Sequence, residues 1–224
     1  GAGIVAAHAS KLGAKVNLIS IAGQDENYNF ATHELDNNDV KYNLIIEESR
    51  PTTLKQRFRC ENKTLLKVSK IQQTSASIET QNKIFLALKS MIKNIDLIIF
   101  SDFNYGCLPN ELLGRLINLG KKNKCIMTAD CQSSSQIGDI GKYKDVNLIT
   151  PTEKEARISV KNQQDGLVVI ADKLFERSKV QYILMKLGAD GLLINLAKKS
   201  GSKIVTDKVP SFNNNPRDIA GAGD

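Results

Sequence analysis

The chain contains few of the residues that build metal centres, and none of them in a suitable pattern. It has two histidines, His8 and His33, and neither belongs to an HxxxH or HExxH pattern. Its four cysteines form no CxxC pair and no spacing typical of metal ligands. The sequence gives no support to a metal-dependent hydrolase, and we expect free thiols in a reducing, cytoplasmic compartment.

Tryptophan, long hydrophobic runs and basic clusters are also absent. Aromatic residues make up 5% of the 224 residues, and the longest apolar runs, such as residues 97–100, have the length of a strand. No run reaches the ~18 residues that a membrane span requires. The net charge is +7, but the lysines are scattered and no basic block alternates with aromatic rings. We therefore expect neither a membrane nor a nucleic-acid partner.

What the sequence does contain is a regular alternation of helical and extended patterns. The segment 3–14 predicts a first helix that is capped at its C-terminal end by Gly13, and a strand follows at 16–22. From residue 78 onward the pattern predicts helices at 78–92, 109–122, 152–160 and 166–177, and strands at 96–101, 124–130, 146–149, 182–186 and 192–196. Such units predict an α/β fold with a mainly parallel sheet and helices on both faces. Ligands of these folds bind beyond the carboxyl ends of the strands.

Residues 43–71 differ from this pattern. They predict three short strands, at 44–47, 53–60 and 65–71, separated by turns. The middle strand alternates apolar with cationic positions, so the segment predicts a small antiparallel sheet with one face of each kind. The apolar face requires a cover, which favours a homodimer through this sheet. Its apolar side chains are Leu54, Phe58 and Leu66, and the cations of the middle strand are Lys55, Arg57 and Arg59.

The strongest candidate for chemistry is the DIAGAGD run at residues 218–224. The glycines Gly221 and Gly223 let backbone N–H groups turn toward an anion, such as a phosphoryl group in transfer. The carboxylate of Asp224 could accept a proton from an attacking hydroxyl. By itself this short run is also compatible with an ordinary turn.

Three further motifs lie where strands end or helices begin. KLGADG at 186–191 is either a hairpin turn or a glycine loop for nucleotide phosphates. TPTEKE at 150–155 is either a capping box between Thr152 and Glu155, or the site of a carboxylate that orders magnesium-bound water. SDFNYG at 101–106 places Asp102 at a strand end, and Asp130 ends the next strand. Ordinary loop polarity is the alternative for these two carboxylates.

In their order along the chain, these motifs resemble the ribokinase-like carbohydrate kinases of the phosphofructokinase B type. The resemblance covers nearly the whole chain and includes a glycine-rich opening at 1–3, an LGA step at 12–14, GQD at 23–25 and RPTTLK at 50–55. RPTTLK and Asp102 are most similar to the heptose-phosphate kinase branch, the kinase half of ADP-heptose synthases. No GxGxxG run follows an early strand, which argues against a Rossmann-type oxidoreductase.

The resemblance implies roles for individual residues. It implies that ATP and Mg²⁺ are used on a sugar or sugar phosphate, that Asp224 is the general base, and that Gly221, Ala222 and Gly223 form the anion hole. The nucleotide would contact Lys186, Gly188, Gly191, Thr152 and Glu155, with Glu155 also near the metal. The acceptor would contact Gly3, Lys55, Arg59, Asp102 and Asp130, and the strands of 43–71 would form a lid over it.

The chain also departs from the family pattern. Ile4, Thr152 and Ala220 replace an asparagine, an asparagine and a threonine, and Tyr105 and Gln132 stand where lysine is frequent. These departures motivate an alternative, a non-catalytic sugar-binding or sensing module that retains the kinase fold. Both ends fall inside motifs, so we expect one kinase domain over residues 1–224 that is incomplete at both termini. A helix after Asp224 would add its dipole to the anion hole, so we expect residues 1–224 alone not to turn over.

Overall fold

A computed structural model describes residues 1–60, 63–133, 137–197 and 205–213. The chain divides into two compact units. Of the described residues, unit 1 combines Gly1–Met91 with Tyr105–Leu112, and unit 2 combines Ile92–Asn104 with those from Leu113 to Asn213. The organisation as a single domain stays a prediction.

Unit 1 begins with a helix that is followed by a βαβ arrangement. Helix α1 (Ala2–Lys11) precedes strand β1 (Asn17–Ala22), helix α2 (Glu26–Asn37) and strand β2 (Lys41–Ile46). Strands β1 and β2 pair in parallel, and Asp25 caps α2 because its side chain accepts a hydrogen bond from the Tyr28 N–H. A small core forms around Ala6, Leu35 and Val40. Helix α3 (Ile78–Met91) ends the first segment of this unit.

The lid consists of strands β3 (Leu54–Cys60) and β4 (Lys63–Lys70), which pair antiparallel. Residues 44–47 were correctly predicted as extended, but their assignment to the antiparallel lid was wrong. They fall mainly in β2, which pairs in parallel with β1. The reason is the crossover helix α2, which returns the chain parallel to β1. Sequence patterning missed α2 because it buries a single residue, Leu35.

Unit 2 contains one six-stranded sheet in the order β10-β9-β8-β7-β6-β5. Strands β5 to β8 pair in parallel, whereas β8–β9 and β9–β10 are antiparallel. The strands are β5 (Leu97–Asp102), β6 (Ile126–Cys131), β7 (Leu148–Ile149), β8 (Tyr182–Lys186), β9 (Leu192–Leu196) and β10 (Val205–Val209). The helices are α4 (Asn110–Lys122), which begins in unit 1, α5 (Glu153–Val160) and α6 (Leu167–Ser178).

The core of unit 2 is made of fully buried side chains from the sheet and its helices. Strand β8 alternates buried with less buried residues, as the two-residue period of a strand requires. The largest buried apolar side chains are those of Ile140, Tyr143, Ile149, Ile170, Leu174, Ile183 and Met185. The α/β fold with a mostly parallel sheet and a small antiparallel sheet is therefore confirmed. Among the described residues, no helix is both long and apolar enough to cross a membrane.

Candidate active site

Unit 2 gathers several polar side chains at the carboxyl ends of β6, β7 and β8. Asp130 lies at the end of β6, Thr150 directly follows β7, and Lys186 is the last residue of β8. Because these strands are parallel neighbours, their ends meet at one edge of the sheet. The structure thus brings together residues that lie up to 56 positions apart in the chain.

Asp130 is the centre of this group. Its Oδ1 accepts hydrogen bonds from Lys186 Nζ at 2.7 Å and from Thr150 Oγ1 at 3.0 Å. Burial raises the pKa of Asp130 by more than Lys186 and Thr150 lower it, and the nearby charge of Glu155 adds to the rise. An ion pair with an upward-shifted carboxylate pKa at a strand end is a candidate for function.

Glu155 joins two loops through its carboxylate. Its Oε2 accepts the Thr152 N–H at 2.8 Å, while Thr152 Oγ1 accepts the Glu155 N–H at 3.3 Å. The predicted capping box is therefore present at the start of α5. The other oxygen, Oε1, accepts the Ser133 N–H at 2.9 Å, and Glu155 is buried. In the described part of the chain, no three His, Cys, Asp or Glu residues are grouped so as to hold a metal ion.

The turn at 187–191 joins two antiparallel strands. The Leu187 N–H donates to the Gly191 carbonyl at 2.9 Å, so the hairpin alternative describes its local geometry. Gly188 and Gly191 both have positive φ, and a Cβ on Gly191 would lie 2.1 Å from the Val209 carbonyl oxygen. Glycine is thus required at residue 191 by the fold itself. Nucleotide binding by this turn stays a prediction.

Asp102 ends β5 and is almost completely buried, at 4% exposure. Its Oδ2 accepts hydrogen bonds from Lys142 Nζ at 2.6 Å and from the Tyr143 hydroxyl at 2.7 Å, and its Oδ1 accepts the Asn104 N–H at 2.7 Å. Burial raises the pKa of the nearby Cys131 thiol to about 12, and the charge of Asp102 adds to this rise. Asp102 is thus a hydrogen-bonded centre, and its contact with substrate stays a prediction.

The predicted acceptor residues of unit 1 lie on different elements. Gly3 is in α1, where an added Cβ would lie 3.8 Å from Leu35 Cδ2. Lys55 and Arg59 are both on β3, and Lys55 Nζ lies 5.0 Å from the centroid of the Tyr105 ring. These placements show only which element each residue belongs to. The binding roles of Gly3, Lys55 and Arg59 stay predictions.

Three cations of β3 share one face of the lid, whereas Lys70 of β4 lies opposite Leu54 on the other face. Alternation along β3 puts Lys55, Arg57 and Arg59 on the same side, and Arg57 pairs directly opposite Lys67 of β4. Like charges at directly opposite positions are destabilising. The face therefore carries several positive charges, two of them at directly opposite positions.

The predicted catalytic residues Gly221, Ala222, Gly223 and Asp224 lie outside the described residues, as does Ala220. Sequence reasoning also missed residues that the fold brings to the site. Lys142 and Tyr143 reach Asp102 from about 40 positions away, and no local pattern marks them. Arg50 belongs to a predicted turn and to the RPTTLK motif, but its burial was not predicted. A buried position for arginine could have been inferred only from its partners.

The sequence profile of the pfkB family carbohydrate kinases matches residues 1–224. Among curated proteins, the bifunctional protein HldE of Nitratiruptor sp. is 28% identical over 228 residues, which cover 100% of this chain and 46% of that protein. HldE of Sulfurimonas denitrificans is 30% identical over 87% of this chain and 41% of that protein. The chain thus spans less than half the length of these relatives.

Solved structures of sugar kinases have the same fold. Phosphofructokinase-2 of Escherichia coli in complex with fructose-6-phosphate superposes with a TM-score of 0.71 at 15% identity, covering 100% of this chain and 71% of that one. Ribokinase of Giardia lamblia gives a TM-score of 0.71 at 12% identity, over 96% of this chain and 66% of that one. At these identities the likeness concerns the fold alone.

Proposed function

The chain belongs to the pfkB family of carbohydrate kinases, and we propose that it transfers the γ-phosphoryl group of ATP to a hydroxyl of a sugar phosphate. A heptose phosphate is the favoured acceptor. The similarity to HldE proteins and the RPTTLK motif at residues 50–55 support this choice.

The observation that carries the proposal is the cationic face of the lid. Lys55, Arg57 and Arg59 share this face, and Arg57 lies opposite Lys67. A neutral sugar would leave the repulsion between Arg57 and Lys67 in place, whereas a phosphorylated sugar would offset it. Lys55 and Arg59 are therefore the proposed contacts for the acceptor's phosphate, and Gly3 is a further proposed contact on the acceptor side.

The polar group of unit 2 is proposed to serve the nucleotide. Lys186 would neutralise part of the phosphate charge, and its pairing with Asp130 holds its ammonium at the strand ends. Thr152 and the turn glycines Gly188 and Gly191 would complete the contacts. Because both are glycines, the turn has no side-chain bulk at those two residues, and both have positive φ.

A magnesium ion fits this group as a partner of the nucleotide phosphates. Mg²⁺ keeps several waters and takes one or two carboxylates besides phosphate oxygens, so a site with few protein ligands suits it. Both oxygens of Glu155 already accept backbone N–H groups, which favours a contact through water. When bound, the ion would neutralise charge on the phosphates. Asp130 is the second carboxylate near Glu155.

The chemical step is assigned to the run at 221–224. Asp224 would take the proton of the attacking sugar hydroxyl. The oxygen of that hydroxyl would form the new bond to the γ-phosphorus as the bond to the leaving ADP breaks. The amides at Gly221, Ala222 and Gly223 would stabilise the charge on the transferred group. Asp102, with both of its oxygens engaged, would support the acceptor side by holding Lys142 and the Asn104 backbone.

We also propose that the lid pairs two copies of the chain. Leu54, Phe58, Leu66 and Val68 share its apolar face, and Phe58 and Leu66 are directly paired. A two-stranded sheet is marginal by itself, and this face is largely exposed. Val68→Asp should shift a dimer to monomer in light scattering, and Val169→Asp, at the same 46% exposure on α6, should not. Monomeric wild-type protein would contradict the proposal.

The function is tested with the longest natural polypeptide that carries this chain. ADP release is measured against heptose phosphates, fructose 6-phosphate and the same sugars without phosphate. We expect turnover with a sugar phosphate and, for Asp224→Asn, a kcat lower by roughly 10²-fold or more. The exposed Asp207→Asn is the matched control and should retain wild-type kcat.

Two outcomes count against the proposal. Wild-type turnover by Asp224→Asn would show that another group is the base. Calorimetric binding of a sugar phosphate, with neither ATP binding nor ADP release, would favour the non-catalytic sugar-binding module instead.

A further inference from the structure

Asn104 follows β5 in a backbone conformation that few residues adopt. Its φ is +59°, in the left-handed region, which asparagine tolerates better than most residues other than glycine. Its N–H donates to Asp102 Oδ1 at 2.7 Å, which closes a short turn at the end of the strand. The backbone from which the Asn104 side chain extends is therefore fixed.

The side-chain amide of Asn104 reaches the chain that leaves the neighbouring strand β6. Its Nδ2 donates to the Gln132 carbonyl at 2.7 Å and contacts Cys131 Sγ at 3.4 Å. Cys131 is completely buried, and the bond to Gln132 is partly shielded from solvent. A carbonyl that loses its donor in such a place costs free energy. The amide thus joins the ends of two neighbouring strands.

Gly138 leaves the space that this contact requires. A Cβ at residue 138 would lie 2.4 Å from Asn104 Nδ2 and 3.0 Å from the Gln132 carbonyl oxygen. The Gly138 N–H also donates to Ser133 Oγ at 2.9 Å. A side chain at residue 138 would therefore displace the Asn104 amide from the carbonyl that it binds.

The peptide unit between Gln132 and Ser133 is held at both ends. Its carbonyl accepts the Asn104 amide, and its N–H donates to Glu155 Oε1 at 2.9 Å. A trans peptide unit is planar, so its carbonyl and its N–H point in opposite directions and turn together. Hydrogen bonds that are joined in this way also polarise one another. Asn104 therefore fixes the direction of the N–H that Glu155 binds.

We infer that Asn104 is a positioning residue for the Glu155 carboxylate in the magnesium-dependent binding of the nucleotide. The inference rests on the proposed function, because it assigns Glu155 to the neighbourhood of the metal. Glu155 is buried, and its other oxygen accepts the Thr152 N–H at 2.8 Å. The carboxylate thus keeps its orientation only while both N–H groups are in place. Asn104 acts through the peptide unit and not on the phosphates.

The test compares Asn104→Gly with Lys124→Gly in the longest natural polypeptide that carries this chain. Both residues have a positive φ, of +59° and +58°, so glycine strains the backbone at neither position. The side chain of Lys124 is exposed, so only Asn104→Gly removes a bridging amide. ATP is titrated calorimetrically in the presence of Mg²⁺ and, separately, of EDTA.

Asn104→Gly should weaken ATP binding in Mg²⁺ by about tenfold or more, because groups that orient a carboxylate near a metal affect metal affinity. Its Kd in EDTA, and both Kd values of Lys124→Gly, should stay within about twofold of wild type. Asn104→Asp tolerates the same φ but lacks the N–H donors of the amide, so it should also weaken binding in Mg²⁺.

Deuterium exchange of the Ser133 amide reports its orientation without any ligand. Because Glu155 accepts this N–H, we expect exchange in Asn104→Gly to be faster by on the order of tenfold. The Met127 N–H, which donates to Asn147 Oδ1 from the same strand β6, should keep its rate. Equal acceleration at Met127 would mean that the whole unit has loosened, and would contradict a positioning role.

A double-mutant cycle tests whether Asn104 acts through Glu155. Glu155→Gln should weaken ATP binding in Mg²⁺ by itself, because it removes the negative charge. Adding Asn104→Gly should then cause little further loss, since the carboxylate that Asn104 orients is already gone. Glu155→Gln protein that binds ATP in Mg²⁺ as tightly as wild type would contradict the inference.

The outcomes distinguish this inference from the proposed function. A wild-type protein that binds no ATP contradicts the proposed function, and the exchange at Ser133 still decides whether Asn104 positions the partner of Glu155. Three further results would overturn the inference while the kinase activity stands. They are an equal loss of ATP binding in Mg²⁺ and in EDTA, a loss that persists undiminished in Glu155→Gln, and an unchanged exchange rate at Ser133 in Asn104→Gly.

Discussion

Two ion pairs, one in each unit, have similar geometry, but the pKa values of their carboxylates shift in opposite directions. Glu47 pairs with Arg50 at 2.6 Å in unit 1, and Asp130 pairs with Lys186 at 2.7 Å in unit 2. Burial alone would raise the pKa of Glu47, but hydrogen bonds from Arg50 and Ser77 outweigh it and lower that pKa. For Asp130 burial prevails, with a contribution from Glu155, and its pKa is raised.

The difference follows from how completely each carboxylate is hydrogen bonded. Glu47 receives Arg50 Nε on one oxygen and the Ser77 N–H on the other, and Arg50 also binds three carbonyls. In Asp130, both Lys186 and Thr150 donate to the same oxygen, Oδ1. A well-compensated buried pair is costly to break, whereas less compensated charge at a strand end suits ligand binding. The first pair is therefore structural and the second is a candidate for function.

Arg50→Met should produce the largest change in stability. It leaves the Glu47 charge and three carbonyls without their guanidinium, so we expect a loss of about 3–5 kcal/mol in the free energy of unfolding. Urea titration followed by circular dichroism measures it. Arg157→Met, whose ion pair with Glu153 is more exposed, should cost about 1 kcal/mol or less. Equal losses in the two variants would show that burial of the Arg50 pair contributes nothing.

Lys186→Met should have a smaller effect. The pair is still partly exposed, at 19% for Lys186 and 17% for Asp130, so we expect a loss of about 1–3 kcal/mol. Adding Asp130→Asn should recover much of it, because no buried charge is then left alone. KM for ATP should rise in Lys186→Met alone and in the double variant. A double variant less stable than Lys186→Met would contradict the uncompensated-charge explanation.

The pH dependence of stability should distinguish the two carboxylates by sign. The folded pKa of Glu47 is below its ordinary 4.5, so its stabilisation is complete above 4.5 and is lost as pH falls through the folded pKa. The folded pKa of Asp130 is above its ordinary 3.8, so it costs stability as pH rises from 3.8 through the folded pKa.

Urea midpoints measured from pH 3 to pH 8 test this contrast. Relative to wild type, Glu47→Gln should be less stable at neutral pH and approach wild type in acid. The urea midpoint of Asp130→Asn should rise relative to that of wild type as pH rises. The same direction for both variants would contradict opposite pKa shifts.

The smallest effect is expected for Lys173→Met. This residue pairs with Asp165 at 2.6 Å, a distance equal to that of the Glu47–Arg50 pair, but both side chains are exposed. Solvent screens such pairs, so we expect no measurable change in the urea midpoint. A loss as large as that of Arg50→Met would mean that distance rather than burial determines the contribution.

Much of the fold could be predicted because its signals are local. The helices near 78–92, 109–122, 152–160 and 166–177 and five strands of unit 2 follow from periodicity, and the structure gives them similar bounds. The misassigned strand at 44–47 and the missing α2 share one cause. A helix that buries only Leu35 has little amphipathic signal, and without it the parallel partner of β1 cannot be recognised.

The polar residues that the structure gathers at the candidate site could be predicted in part for the same reason. Asp130, Thr152, Glu155 and Lys186 were identified from their places at strand ends and at a helix start. Lys142, Tyr143 and the role of Arg50 were not, because each acts on a residue 40 or more positions away. Side-chain contacts of that kind leave no periodic trace in the sequence.

The sequence by itself determined the alternation of strands and helices, the capping box of Thr152 and Glu155, and the ordered motifs that identify a carbohydrate kinase, because each depends on neighbouring residues. Tertiary structure alone decided which cation meets which carboxylate. Lys186 donates to Asp130 and Lys142 to Asp102. Arg50 likewise donates to the Tyr105 carbonyl. These partners meet only after the chain has folded, when burial strengthens the interactions between their charges.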